Sequence, residues 1–182
     1  MQLGPAEWVA IVALGVALIL GAPPIFQMMW GSPNISFGFT RLDSGPLTLL
    51  LIHLYNYPIA NPLLSKIGVR REEAHFHVRL IIKDDSGNLV LQYTEPSIFS
   101  GNPFEQNLCH LHAGPSPKTI EILRADSNRA WINYEGRSTG FQEFQAGTYT
   151  LRLDVWAGEK LFFEERSFLV AKDLKSSYWV DR

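Results

Sequence analysis

The chain opens with an apolar block and then changes period. From position 8 to 30 it reads WVAIVALGVALILGAPPIFQMMW, with Gln27 as the one strongly polar side chain. A helix here would have no polar face to turn to water. Over 8–30 it would be roughly 35 Å long, enough to cross a hydrocarbon layer of ~30 Å. Trp8 and Trp30 stand at its two ends, where indoles settle at membrane interfaces. Pro23-Pro24 is expected to kink or end the helix, because proline removes a backbone donor. The run reads as a signal anchor, not a cleaved leader: no Lys or Arg precedes it and no small-x-small site closes it.

Past a turn-forming linker, 31–34, the apolar positions alternate. In 74–83, Ala74, Phe76, Val78, Leu80 and Ile82 point one way and His75, His77, Arg79, Ile81 and Lys83 the other, the period of a half-buried strand. In 148–155, Tyr149, Leu151, Leu153 and Val155 form a second inward set. Stretches 35–42, 47–55, 89–94, 107–112, 118–123 and 160–170 read as further strands, with another short one at 130–134. Stretch 47–55 is apolar apart from Thr48 and His53, so a central strand is expected there. Gly, Pro, Asn and Asp punctuate the intervals, and Pro58 and Pro62 open a long connection through Arg71. About eight strands make an all-β domain in the range of a Greek-key sandwich. The expected division is tail 1–7, transmembrane helix 8–30, linker 31–34, β-sandwich 35–171 and tail 172–182.

Composition narrows the function classes. Apolar residues make up 46%, charged residues 19%, and the formal net charge is -2. Arg70-Arg71 is cancelled at once by Glu72-Glu73, so no basic surface for nucleic acid is expected. A single cysteine, Cys109, rules out an intramolecular disulfide. Basic residues flanking the helix are too few to orient it by charge. The C-terminal domain is placed outside the cytoplasm on the kind of domain it is.

That kind is suggested by Ala146-Gly147-Thr148-Tyr149-Thr150-Leu151. The stretch resembles the tyrosine corner that opens a late strand in immunoglobulin-like and fibronectin type III-like sandwiches, where the phenol bonds back to nearby backbone. The resemblance implies a Greek-key, immunoglobulin-like fold and an adhesive or scaffolding role. It transfers no site residues. The disulfide and partner tryptophan of antibody-type domains are not part of the match.

Chemistry is concentrated in histidine. Four of the five occur as two His-x-His pairs, His75/His77 and His110/His112. Residues i and i+2 share a strand face, so pairs on neighbouring strands would bring four imidazoles together, a set suited to copper or zinc. His53 is a further candidate. Against this stand Arg79 and Lys83 on the same predicted face, whose charge opposes a dication. His-x-His is also similar to the metal strand of cupins and to the copper subunit of particulate methane and ammonia monooxygenases. Cupins carry a glutamate soon after the pair, whereas Val78-Arg79-Leu80-Ile81-Ile82 and Ala113-Gly114-Pro115-Ser116 follow here; neither family is adopted. No catalytic motif appears, so catalytic residues and a required cofactor are not assigned.

Two features point to protein partners besides the membrane. Ala13, Ala17 and Gly21 fall four apart, a small-residue face that admits another helix. Trp156, Tyr178 and Trp179 are candidate interface anchors, being of the types that dominate binding surfaces. The expectation is a non-catalytic, membrane-anchored sandwich acting as an accessory subunit or adhesion module, with copper or zinc binding as the alternative.

Overall fold

A computed structural model describes residues 4–94, 110–111, 113–133 and 141–180. Helix α1 spans Pro5–Trp30. It starts three residues before Trp8 because Pro5 occupies the first helical turn and the Glu7 carboxylate accepts from the Gly4 N–H at 2.7 Å. It continues through Pro23 and Pro24 to Trp30, so the prolines do not end it. Among the described residues nothing covers its most apolar stretch; the helix is long and apolar enough to cross a membrane.

The remainder is β-structure in two antiparallel sheets. In the first sheet β1 (Ile35–Ser44), β2 (Leu47–Asn56), β6 (Lys118–Ala125), β7 (Ala130–Asn133) and β8 (Phe141–Phe144) lie in that order. The second runs β11 (Tyr178–Trp179), β10 (Lys160–Val170), β9 (Gly147–Ala157), β3 (Ala74–Asp84), β4 (Leu89–Thr94). A two-residue strand, β5 (His110–Leu111), also pairs with β3. One helical turn, α2 (Pro62–Lys66), interrupts the β2–β3 connection.

Both sheets turn their alternating sets onto one core. From the second come Ala74, Phe76, Val78, Leu80 and Ile82 with Tyr149, Leu151, Leu153 and Val155, all buried as the alternation requires. From the first come Leu50, Ile52, Leu54, Ile120, Ile122 and Leu123. Strand β2 is internal, between β1 and β6, as its largely apolar run leads one to expect. A register shift between Leu50 and Leu51 buries both.

The C-terminal segment is a correction to the expected tail. Strand β11 pairs Trp179 with Phe168. Trp179 is only 9% exposed, its ring 5.0 Å from Phe39 and 5.9 Å from Phe168, and its indole N–H donates to the Thr40 carbonyl at 3.1 Å. Trp179 therefore fills the sandwich edge between the sheets and is not a free interface anchor.

Candidate functional site

Two regions gather polar and aromatic side chains into built arrangements. The first lies where α1 meets the sandwich. The buried Asn56 side chain accepts from the Asn34 N–H (3.2 Å) and donates to the carbonyls of Glu72 (2.8 Å) and Leu111 (3.2 Å). It thus joins the linker, β2, the β2–β3 connection and β5, with both amide N–H donors and one oxygen lone pair used. Beside it the Gln27 amide donates to the Arg70 carbonyl (2.8 Å) and accepts from the Arg70 N–H (3.0 Å). Arg71 donates to the carbonyls of Trp30 (2.8 Å) and Ser32 (2.7 Å), placing a cation on the orphan carbonyls at the helix C-terminus. Lys160 reaches the Ser32 hydroxyl at 2.7 Å.

The second region is the outer face of β10-β9-β3. Register places Arg79 opposite Asp154, and Asp154 opposite Phe163. Alternation puts Asp154 outward, yet it has no exposed surface. Arg79 Nε donates to it at 3.0 Å and Arg152 Nε at 2.8 Å. Burial alone pushes the Asp154 carboxyl up, but the hydrogen bonds from Arg152 and Arg79 outweigh it and hold the group below the ordinary carboxylate range. The guanidiniums in turn lie over aromatic rings, Arg79 5.0 Å from the Trp156 ring and Arg152 5.0 Å from that of Phe163. Phe163 is 58% exposed and Leu161, the register partner of Trp156, 46%. The result is an aromatic and aliphatic patch over a locked charge network.

His75, His77 and His110 lie on strands at one end of this face. His75 is the register partner of His110 across β3 and β5, and His77 is paired with Trp156. Their neighbours Ala74 and Leu111 are buried, so His75, His77 and His110 occupy outer-face positions on adjacent strands. Only the backbone positions of His75 and His110 are described, and His112 lies outside the described residues. Among the described residues no group of three or more His, Cys, Asp or Glu is placed to hold a metal. His53 belongs to the other sheet, its Nδ1 2.8 Å from the Thr119 hydroxyl, and does not join the pairs. Arg79, which sequence alone sets against a bound dication, is already paired with Asp154.

The remaining candidates fall as follows. Ala13, Ala17 and Gly21 are all exposed along α1, and nothing approaches a Cβ built on Gly21. Trp156 is half-buried under Arg79, and Tyr178 is 45% exposed. The Tyr149 hydroxyl donates to the Gln145 carbonyl, four residues upstream, at 3.0 Å. Sequence reasoning missed Asp154 and Asn56. The only signal was an acidic residue inside an otherwise regular β9 pattern and an Asn ending an apolar strand. No protein-family model matches this chain, and no curated protein matches it in sequence.

Proposed function

We propose that this protein is a non-catalytic, membrane-tethered sandwich that binds another protein through the outer face of β10-β9-β3, with its domain outside the cytoplasm. The observation carrying this reading is the Asp154 network. Two arginines and two aromatic rings are held in fixed positions before any partner arrives, and Phe163 and Leu161 are left uncovered. Preorganised Arg, Trp and Phe are the residue types that dominate binding hot spots. The small-residue face of α1 would give the same partner, or one of its subunits, a second contact within the membrane. An immunoglobulin-like classification is supported by the Tyr149–Gln145 bond and by the order β10-β9-β3-β4. It departs from that type in the first sheet, where β6, β7 and β8 follow β2 outward in chain order.

The test is photocross-linking in native membranes with Phe163→benzoylphenylalanine, compared with the same substitution at Leu89, which is 58% exposed at the other sheet edge. The expected result is one discrete adduct at position 163 that disappears with Trp156→Ala. Equal adducts at both positions, or none, would overturn the proposal.

A metal-binding domain is the second reading, favoured by one observation, the His75–His110 register. It predicts stoichiometric copper or zinc in the purified chain, lost in His75→Ala and in His110→Ala. A metal-free chain after growth with both metals present would dispose of it.

A further inference from the structure

We propose that the loop between β2 and β3, residues 57–71, rests on the lipid bilayer and places Leu63 and Ile67 in its interfacial layer. The inference rests on the transmembrane reading of α1 and adds a second, peripheral contact to it.

The loop's position follows from its bonds. Its base is closed by the Asn56 side chain on the Glu72 carbonyl at 2.8 Å. From there it runs beside the end of α1. Glu72 N–H bonds the Gly31 carbonyl (2.6 Å), Arg71 bonds Trp30, and Arg70 bonds Gln27 in both directions. Successive loop residues, read backwards, thus descend the helix from its C-cap to one turn below it. Gln27 stands roughly 28 Å along the axis from Trp8, which is close to the ~30 Å thickness of the hydrocarbon layer. Arg70 is therefore held at the hydrocarbon boundary, and the headgroup layer above it is only about 5–7 Å thick. A loop fixed there cannot stand clear of lipid.

Its surface suits that place. Leu63 is 69% exposed, Ile67 42% and Tyr57 48%, while the exposed cations Lys66 and Arg70 can reach phosphates as their stems lie along apolar surface. Around α2 the backbone is bonded within the loop. Asn61 caps α2 by accepting from the Leu63 N–H (2.9 Å). The N–H groups of Ser65, Ile67, Gly68 and Val69 all donate to carbonyls within the loop. Internal satisfaction of this kind is what an apolar layer demands.

The test uses the full chain in phosphatidylcholine vesicles containing a doxyl-labelled phosphatidylcholine, with a bimane on Leu63→Cys in a Cys109→Ala background. Parallel labels go on Ile67→Cys, Ala17→Cys and Asp85→Cys. Asp85 follows β3, whose far end lies about 33 Å from its start near the membrane. The expected result is strong quenching at 17, at 63 and at 67, with none at 85. Quenching at 17 with 63 and 67 unquenched would overturn the loop contact and leave the tether standing. That outcome includes a loop that waits for a protein instead of lipid. No quenching at 17 would overturn the tether, and the inference with it. Equal quenching at 85 would also overturn it, since the whole domain would then be lying on the vesicle.

Discussion

Asn56→Ala is the sharpest perturbation of the junction between helix and sandwich. Asn56 has no exposed surface and makes three side-chain hydrogen bonds, to the Asn34 N–H and to the carbonyls of Glu72 and Leu111. Each bond contributes about 1 kcal/mol net, so their loss costs about 3 kcal/mol if water enters the space left behind. Each abandoned backbone group that stays dry adds about 1–3 kcal/mol. For a domain of this size about 3 kcal/mol lowers Tm by roughly 6–12 °C. Asn56→Asp tests the direction of the bonds as well as their number. It keeps the acceptor for Asn34 but turns carboxylate oxygen toward two carbonyls, and is expected to be worse than alanine at neutral pH. The measurement is thermal unfolding of the full chain in detergent by near-ultraviolet circular dichroism. A drop below about 2 °C for Asn56→Ala, far short of the 6–12 °C that three bonds imply, would refute the reasoning, as would an aspartate variant more stable than the alanine one.

Three further outcomes are expected. Phe168→Ala removes a fully buried ring that meets Phe144, Tyr149 and Trp179 at 5.8, 5.4 and 5.9 Å. It should cost about 3–5 kcal/mol in urea unfolding, and a loss under about 2 would contradict the packing described. Tyr149→Phe deletes only the hydroxyl bond to Gln145 and should cost about 0.5–1.5 kcal/mol by the same assay; a larger loss would mean the hydroxyl does more than close this corner. Because the Asp154 pKa is lowered in the folded chain from the usual 3.8, the unfolded state binds the proton more readily. The stabilisation it provides is complete above the unfolded pKa and is lost as pH falls through the folded one. The urea midpoint should therefore fall on acidification below about pH 4, less steeply in Asp154→Asn; identical acid slopes for the two chains would show that Asp154 is not the group responsible.

What was legible in the sequence was whatever depends on local period. The alternation in 74–83 places five side chains in the core because each faces the same way from one pleated strand. Strand β8 was not read because Phe141-Gln142-Glu143-Phe144 is short and does not alternate; its order comes from antiparallel pairing with β7, the strand before it, which no period within four residues reports. Strand β11 has two residues and exists because Trp179 finds Phe39, Thr40 and Phe168, the first two more than a hundred residues away along the chain. Helix α2 falls in the stretch read as a long connection through Arg71; its Asn61 cap and first-turn Pro62 are start signals, but five residues are too few for a helical period to show. The site was less legible still. Alternation sends Asp154 outward correctly, and its burial comes from long arginine stems on its own and the neighbouring strand, which no spacing rule reports.

Gln27 shows how a residue that looks like an imperfection in one element becomes informative once its partner is known. In an apolar run it is a polar group that lipid would penalise if left unpaired. Its amide instead meets the Arg70 peptide donor to acceptor and acceptor to donor, while Arg71 closes the helix end at Trp30. Removal of 1–30 as a leader would strip the Arg70 N–H and carbonyl of these partners and leave Arg71 without one of its carbonyls. The pairing supports the proposed tether, in which α1 stays attached to the sandwich it bonds.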